Sequence, residues 1–290
     1  MIVHLFDGTY ELFRAWFGAP PAQHRGQEVG ASRAFLRSLA AVLRSGAVTH
    51  AGVAFDHVIE SFRNDLFAGY KTGEGLDPRL VAQFSLAERA AQALGLVVWP
   101  MVEFEADDAI ATAADVTSRD PRVEQVRIAA VDKDMCQCVR GERIVRWDRW
   151  KQVILDEPGV VAKHGVAPIS IPDWLALVGD AADGIPGISG WGKTSAATVL
   201  STWTTIEAIP DDPAAWGVKV RGADRLAASL SQSRSVALLY KQLATLRLDC
   251  PIVCEVDALQ WRGPDREQLA VLQDELGIAD IGFVPRNSPA

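Results

Sequence analysis

The first half of the chain alternates short apolar runs with amphipathic helical patterns. Runs rich in Val, Ile, Leu and Phe predict β-strands at residues 2–7, 50–56, 95–99, 126–132 and 143–148. Between them, apolar residues spaced three and four apart predict helices at 31–44, 78–94 and 106–118. Continuous apolar strands separated by helices are typical of an α/β fold with a mostly parallel sheet and helices on both faces.

From about residue 171 onward the pattern is helical, and no run there is as strand-like as the first four. We therefore predict an α/β domain over residues 1–170 and a smaller helical domain over residues 171–290. The last residues, RNSPA at 286–290, are expected to be frayed.

Three of the predicted strands end on an aspartate: Asp7, Asp56 and Asp132. In an open parallel sheet, neighbouring strands bring their last residues to one edge, which is where ligands bind. A single strand-terminal aspartate is more often a helix N-cap than a functional residue. Three carboxylates at one edge would repel one another unless cations compensate them, so we interpret them as candidate functional residues.

Six more carboxylates follow a predicted strand or share a helical turn, namely Glu105, Asp107, Asp108, Asp134, Asp180 and Asp183. N-capping explains one of the acids at 105–108 but hardly all of them. No histidine or cysteine lies among these acids, which favours Mg²⁺ or Mn²⁺ over zinc. Because one Mg²⁺ keeps most of its waters, so many acids predict two ions about 4 Å apart, arranged for in-line attack on a phosphodiester.

The segment GISGWGKT at 187–194 matches the nucleotide-binding pattern G-x-x-x-x-G-K-[ST]. A P-loop follows a strand, whereas LVGDAADGIP precedes this segment and the helical TSAATVL continues from it. We therefore predict a helix–hairpin–helix and no nucleotide cofactor. Gly190 and Gly192 would let backbone N–H groups approach a phosphate at the start of the next helix. Such a hairpin binds the phosphates of a nucleic acid without contacting its bases. Potassium is sometimes held in such hairpins, but the spacing does not demonstrate it.

Composition and terminal sequence bear on the protein's location, its cysteines and its partners. The 290 residues, 49% of them hydrophobic, contain no apolar run of 18, so no membrane span is predicted. The N-terminus MIVHLFDG lacks the basic lead-in of a secretory signal, and we expect a cytoplasmic protein. The four cysteines lack the C-x2-C zinc spacing and are expected to be buried or idle thiols. The net charge of −8 alone argues against a nucleic-acid partner, but acids that bind metal account for part of it.

Five blocks occur in the order found in the 5′-nuclease (flap endonuclease-like) family. They are LFDGTYELFRAWF (5–17), VAFDHVIESFRNDLFAGYK (53–71), FEADDAIATAA (104–114), AAVDKDMCQCV (129–139) and LVGDAADGIPGISGWGKTSA (177–196). The chain resembles this family, above all the branch with the nuclease domain of bacterial DNA polymerase I and its stand-alone bacterial and phage relatives. The tail, including LYKQLATLRLDCPI (239–252), is similar to the family's helical C-terminal part.

The resemblance implies a PIN-like or resolvase-like core and a helical domain with a helix-2-turn-helix motif at about 184–200. It implies a metal-dependent 5′-3′ exonuclease or flap endonuclease that cuts branched or gapped DNA, leaving a 5′-phosphate and a 3′-hydroxyl. Roles in DNA replication or repair would follow, with RNA–DNA primers as further possible substrates and a monomer as the default state. The 5′ strand would pass beneath an arch at about 70–90.

The resemblance also implies residue roles. The first metal would be held by Asp7, Asp56, Glu105, Asp107 and Asp108, and the second by Asp132, Asp134, Asp180 and Asp183. In the GYK block, Lys71 would neutralise the scissile phosphate. Arg63 would contact phosphate nearby, and Tyr70 would contact the DNA. The hairpin residues implied to hold the duplex backbone are Gly187, Gly190, Gly192, Lys193 and Thr194.

The sequence departs from the family pattern at three places. Glu74 stands where an arginine is frequent, and it should oppose phosphate binding unless Arg79 or another group substitutes. Thr9 and Tyr10 replace a frequent histidine pair, which is tolerable because neither should bind metal. Trp191 replaces a small aliphatic residue, and we expect it to be buried against the following helix.

Two other functions compete with this interpretation. FDGT at 6–9 resembles half of the haloacid-dehalogenase motif DxDGT, but position 5 is leucine where that mechanism needs its aspartate nucleophile. A non-catalytic DNA-junction binder of the same fold is the second alternative, and Glu74 favours it. Retention of all nine carboxylates favours the enzyme, since bare acids near phosphate are costly.

Overall fold

The computed structural model describes residues 1–279 and 281. Its contacts divide the chain into two compact units. Unit 1 contains residues 1–59, 73–130 and the described residues from Leu248 onward, and unit 2 contains residues 60–72 and 131–247. The units therefore interleave along the chain, and the division into consecutive domains at residue 170 stays a prediction. The segment 286–290, expected to be frayed, lies outside the described residues.

The strands are short, and the helices vary from one turn to six. The strands are β1 (Ile2–Asp7), β2 (Gln23–His24), β3 (Gln27–Glu28), β4 (His50–Asp56), β5 (Val97–Met101), β6 (Gln125–Ala129), β7 (Ile144–Asp148) and β8 (Val153–Leu155). The α-helices are α1 (Gly8–Gly18), α2 (Gly30–Arg44), α3 (Phe62–Leu66), α4 (Pro78–Val81), α5 (Phe84–Ala93), α6 (Ala106–Ser118), α7 (Glu157–His164), α8 (Ile171–Val178), α9 (Lys193–Trp203), α10 (Ala223–Ala244) and α11 (Arg266–Leu276).

Unit 1 is built on four parallel strands in the order β5–β4–β1–β6. The central strands carry fully buried side chains such as Leu5 and Val53, each of which stabilises the fold by about 1.5–3 kcal/mol through removal from water. Helices α1, α2 and α5 pack on one another and on the sheet, and α6 packs across the four strands. The predicted helix-covered parallel sheet is confirmed.

Most predicted boundaries in unit 1 lie within two residues of those in the structure, and two elements differ by more. Strand β6 ends at Ala129, because its partner β1 ends at Asp7 and the pairing stops at Phe6 and Ala129. Asp132 is therefore not a strand-end residue, and that prediction was wrong. The helix predicted at 78–94 is interrupted between α4 and α5 at the buried Gln83, whose amide oxygen accepts from Ser32.

Unit 2 is mainly helical, with the antiparallel hairpin β7–β8 as its only regular strand pair among the described residues. Its core contains three buried indoles, Trp174, Trp191 and Trp216, packed with leucines of α8 and α10. Helices α8 and α9 flank the 187–192 segment, which confirms the predicted helix–hairpin–helix. No described helix combines the length and apolarity that crossing a membrane requires.

Candidate metal centre and nucleic-acid hairpin

Asp7 ends β1 and caps α1. Its Oδ1 accepts a hydrogen bond from the backbone N–H of Tyr10 at 2.8 Å, and the residue is 4% exposed. Gly8 must follow it, because a β-carbon there would lie 2.5 Å from the ring of Phe55. The sequence Asp-Gly thus lets the first turn of α1 pack directly on β4 while the carboxylate stays at the carboxyl end of the strand.

Asp56 ends β4 and is bonded to two helices. Its backbone N–H donates to Thr9 Oγ1 at 2.8 Å, and its Oδ1 accepts from the N–H of Ala106 at 2.8 Å. Thr9 lies in α1 and Ala106 begins α6, so a single aspartate joins the start of both helices to the strand end. Asp7 lies on the neighbouring strand, paired in register with Ala54.

The acids of the EADD block lie around the first turn of α6. Glu105 is its N-cap residue, and its backbone N–H donates to Asp108 Oδ2 at 3.0 Å. Both residues are buried, at 4% and 0% exposure, while Asp107 is half-buried. Negative charge in this turn interacts favourably with the helix dipole. Unit 1 therefore gathers Asp7, Asp56 and these three acids at the carboxyl ends of β1 and β4 and at the adjoining start of α6.

The acids of unit 2 are arranged differently, because lysines pair with two of them. Lys133 Nζ lies 2.6 Å from Asp180 Oδ1, and the Asp180 side chain is only 5% exposed. Asp180 follows α8 and forms a two-way backbone bridge with Ile185, which closes the turn GDAADGI. The ammonium group of Lys133 thus compensates a nearly buried carboxylate.

Asp183 holds Lys71 through both side chain and backbone. Lys71 Nζ lies 3.1 Å from Asp183 Oδ1, and the Lys71 N–H donates to the Asp183 carbonyl at 3.1 Å. On its other side, the Lys71 carbonyl accepts from Asn64 Nδ2 at 3.0 Å. Gly184 has φ of +75° and passes so close to Gly69 that a β-carbon would lie 2.2 Å from its carbonyl oxygen. Lys71 is therefore fixed at its backbone, with its ammonium group turned toward a carboxylate.

The DKD segment places its two acids in different environments. Asp134 is buried at the start of a 3-10 helix, and its Oδ1 accepts from the N–H of Met135 at 2.8 Å. Asp132 is exposed. The intervening residue is Lys133, the partner of Asp180.

The donor chemistry of both acid groups fits hard divalent cations. All nine side chains offer carboxylate oxygens, the ligands that Mg²⁺ and Mn²⁺ prefer. Among the described residues, however, no three His, Cys, Asp or Glu side chains are already spaced as a metal-binding group. Several of the carboxylates accept from backbone amides or lysines instead, so these side chains would turn toward a cation when binding it.

Two residues predicted to contact DNA are buried in unit 2. Arg63 is 1% exposed, and its guanidinium group donates to the carbonyls of Leu243 at 2.8 Å and Thr245 at 3.1 Å. It satisfies the carbonyls at the end of α10, a role that does not fit the predicted phosphate contact. Tyr70 is 5% exposed in the core, where its ring lies 5.7 Å from Lys71 Nζ. We therefore carry neither residue into the proposal as a DNA contact.

The hairpin presents an exposed turn on a buried base. Gly187 has φ of +76°, and a β-carbon there would lie 2.6 Å from Gly179 N. Gly190, Gly192, Lys193 and Thr194 are exposed, and Gly192 caps α9.

Trp191 supports the base of this hairpin. It is 6% exposed, its Nε1–H donates to the carbonyl of Leu226 in α10 at 3.2 Å, and its ring lies against Trp216. The expected burial is confirmed, and Trp216 and α10 contribute to covering the indole.

Glu74, which was expected to oppose phosphate binding, and Arg79, which was expected to offset it, both lie in unit 1. Glu74 is exposed between α3 and α4. Arg79, the suggested substitute cation, is held by Asp77 through bidentate hydrogen bonds of 2.6–3.2 Å, which lower the pKa of Asp77 to about 2. Arg79 therefore already has a carboxylate partner, and any phosphate would compete with it.

The cysteines are buried, as expected. In unit 2, Cys136 Sγ lies 3.6 Å from His164 Nε2 and 2.9 Å from a guanidinium nitrogen of Arg146. Burial, with the nearby positive charges of Lys163 and Arg146, lowers the pKa of His164 to about 4. The imidazole is therefore neutral at pH 7 and packs edge-on against Trp174.

Three residues that contact the candidate site side chains or their backbone, namely Thr9, Lys133 and Asn64, were not predicted from the sequence. Thr9 was expected only to be a tolerable substitution, yet it binds the backbone of Asp56. Lys133 lies inside the DKD block, and its position between two acids was a signal for a charge partner. Asn64 carries no comparable signal, because its bond to Lys71 depends on the turn between them.

Comparison with known proteins agrees with this architecture. Residues 2–165 match the 5′-3′ exonuclease N-terminal resolvase-like domain, and residues 166–267 match the 5′-3′ exonuclease C-terminal SAM fold. The chain is 34% identical over 282 residues to DNA polymerase I of Pseudomonas aeruginosa and 33% identical over 284 residues to that of Bacillus caldotenax. These alignments cover 94% of this chain but only 30% and 31% of the relatives.

Solved structures share the fold at low sequence identity. A bacteriophage T5 5′-exonuclease with bound zinc superposes with a TM-score of 0.68 at 16% identity, covering 95% of this chain and 98% of that one. The catalytic core of Rad2 in complex with a DNA substrate gives a TM-score of 0.61 at 12% identity, covering 94% and 86%. Since the two family matches together span residues 2–267, in the order that the sequence blocks predict, the chain belongs to the 5′-3′ exonuclease family.

Proposed function

We propose that the chain is a divalent-metal-dependent 5′-3′ exonuclease and flap endonuclease acting near 5′ ends of branched or gapped DNA. The observation that carries the proposal is the set of five acids, three buried and two half-buried, that unit 1 gathers at the ends of β1 and β4 and at the start of α6. Burying several carboxylates together is costly unless each is hydrogen-bonded or neutralised. A site for divalent cations accounts for this arrangement better than helix capping alone.

The two acid groups divide the metal-binding role. Asp7, Asp56, Glu105, Asp107 and Asp108 would hold the first Mg²⁺ or Mn²⁺, and Asp132, Asp134, Asp180 and Asp183 would hold the second. When bound, two such cations activate water and stabilise the attacking and leaving oxygens of an in-line displacement. The carboxylates position these charges, and backbone amides orient the carboxylates.

Lys71 has the electrostatic role at the scissile phosphate. Its backbone is held by Asn64 and Asp183, so its side chain starts from a fixed point and its ammonium group stays within reach of Asp183. We propose that Lys71 exchanges Asp183 for phosphate when DNA binds and offsets the charge that develops during hydrolysis. The products would be a 5′-phosphate and a 3′-hydroxyl.

The helix–hairpin–helix would hold the duplex. Gly190 and Gly192 permit close approach of the backbone, and Lys193 and Thr194 would bind phosphate without reading bases. The loop at 71–77, which is not helical, would form the flexible part of the predicted arch. A potassium ion at the hairpin and RNA–DNA primers as substrates stay part of this proposal.

The decisive experiment uses a 5′-labelled flap oligonucleotide with Mg²⁺ or Mn²⁺, and EDTA as control. The proposal expects cation-dependent cleavage near the flap base, with product ends that a ligase and a polymerase accept. Exposed Glu74 and the paired Arg79 favour a non-catalytic junction binder as the second candidate. Binding of the flap without cleavage under every divalent ion would support that candidate, and no binding would contradict both.

A further inference from the structure

The segment at residues 217–225, called the 217–225 loop below, joins Trp216 to α10 and includes the first turn of that helix; it carries cations that the hairpin assignment does not include. Residues 217–225, GVKVRGADR, contain Lys219, Arg221 and Arg225 and one acid, Asp224. All four side chains are exposed. Several exposed arginines elsewhere in the described chain pair with acids, as Arg89 does with Glu275. The three cations of this loop form no ion pair with any described residue.

Both ends of this loop are anchored to the hairpin. At its start, the ring of Trp216 lies 5.8 Å from that of Trp191. At its end, a β-carbon placed on Gly190 would lie 3.8 Å from Arg225 Nε. One turn further along α10, Ser229 Oγ donates to the carbonyl of Ser189 at 2.8 Å. The loop and the first turns of α10 therefore lie beside the exposed hairpin turn.

The loop sequence separates its side chains into two sets. Val218 and Val220 pack against the core of unit 2, while Lys219 and Arg221 point to solvent. This alternation is what an extended segment with one buried side produces. Gly217 and Gly222, with φ of +70° and +74°, begin and end the part of the loop that precedes α10, and no described atom lies within 4 Å of a β-carbon on either. The cations therefore lie on an open surface.

We infer that Lys219, Arg221 and Arg225 continue the hairpin into one phosphate-binding surface that tracks the backbone of double-stranded DNA. The inference rests on the proposed function and extends its DNA contact beyond the hairpin to the 217–225 loop. Exposed cations that have no ion-pair partner among the described residues suit a polyanion even on a chain of net charge −8, since releasing the counterions of the polyanion favours binding.

The surface fits a duplex better than a single strand. Sites for single strands combine cations with exposed aromatic rings on which bases stack. Here the aromatic residues beside the loop, Trp191 and Trp216, are 6% and 0% exposed. The surface thus offers charge and open backbone but no stacking platform.

The test compares a triple variant, Lys219→Ala with Arg221→Ala and Arg225→Ala, with a control of equal charge loss. The control is Arg37→Ala with Arg262→Ala and Arg266→Ala, three exposed arginines of unit 1 that also form no ion pair with described residues. Dissociation constants for a duplex and for a single strand of the same length are measured against salt concentration. Thermal unfolding verifies that each variant is folded.

We expect the triple variant to bind the duplex at least about tenfold more weakly at 0.1 M salt. The slope of log affinity against log salt should fall by about one for each phosphate that the variant no longer neutralises, whatever the base sequence. Single-strand binding should not change. Equal duplex affinity and slope in both triple variants would overturn the inference, as would an equal loss on duplex and single strand. Failure of the wild-type protein to bind or cut any DNA would instead refute the proposed function.

Discussion

The two units hold their acids by different means. In unit 1, Asp7 and Asp56 accept hydrogen bonds from backbone N–H groups at the starts of helices. In unit 2, Asp180 and Asp183 face the ammonium groups of Lys133 and Lys71. An amide donor occupies one of about four lone-pair positions of a carboxylate and leaves its charge intact. A lysine neutralises that charge and competes directly with a metal ion.

This difference suggests a division of labour. Asp7 and Asp56 of unit 1 are oriented by backbone amides of the fold, as expected of the tighter cation site. Asp180 and Asp183 of unit 2 must each give up a lysine to bind a cation, so that site should be weaker and should respond to substitution of its lysines. The released lysines would then be available to phosphate. Four substitutions test this comparison.

Asp56→Asn should have the largest effect. The amide oxygen can still accept from Ala106, so folding should be preserved while the charge is lost. Metal-ion stabilisation is worth several kcal/mol, which corresponds to a loss in single-turnover cleavage on the order of 10³-fold. Exposed Glu103, changed to Gln, is the matched control. A rate within about threefold of wild type, well short of the loss that metal-ion stabilisation implies, would remove Asp56 from the metal centre.

Lys71→Ala should come second, with a single-turnover rate about 10²-fold lower and little change in DNA affinity. Because the backbone of Lys71 is fixed, we expect its effect on the rate to depend on the position of its charge as well as on the charge itself. Lys71→Arg, which keeps the charge, should recover part of the rate. An unchanged rate in the alanine variant, measured at saturating enzyme, would contradict the electrostatic role.

The features that depend on residues close together in the sequence could be predicted from local patterns. Strands β1 and β4 and helix α6 have the predicted bounds, because apolar runs and a capping acid mark their ends in the sequence itself. The hairpin was also predictable, since glycines and a proline replace the strand that a P-loop requires. The acids of unit 1 were found for the same reason, as they directly follow strands or begin a helix.

What depends on distant partners was not predictable. Asp132 was expected at a strand end, but β6 stops where its partner β1 turns into α1. Arg63 was assigned to phosphate, whereas its burial depends on carbonyls 180 and 182 residues away. The pairing of Lys133 with Asp180 joins residues 47 apart. Residue type and spacing do not encode these contacts, because the tertiary fold creates them.

Thr9→Val should have an intermediate effect. It removes the acceptor of the Asp56 N–H at nearly constant shape, which costs about 1 kcal/mol of unfolding free energy and loosens Asp56. Substitutions that disturb the orientation of a metal ligand typically cost about 10- to 100-fold in activity or metal affinity. Thr9→Ser keeps the hydroxyl and should restore both. If valine and serine variants bind Mg²⁺ equally well by calorimetry, Thr9 does not position the ligand.

Lys133→Met should have the smallest effect on cleavage. It should strengthen metal binding rather than weaken it. Without its ammonium partner, the nearly buried Asp180 carries an uncompensated charge, so the variant should unfold at a lower temperature in EDTA. A divalent cation would supply the missing charge, and the stabilisation that Mg²⁺ gives should exceed that of the wild-type protein. Lys151→Met, which removes an exposed lysine from the 3.6 Å pair with Asp148, is the control and should not alter the response to Mg²⁺. Equal Mg²⁺-induced shifts in melting temperature for Lys133→Met and wild type would mean that Lys133 does not compete for Asp180, and the contrast between the two acid groups would lose its functional meaning.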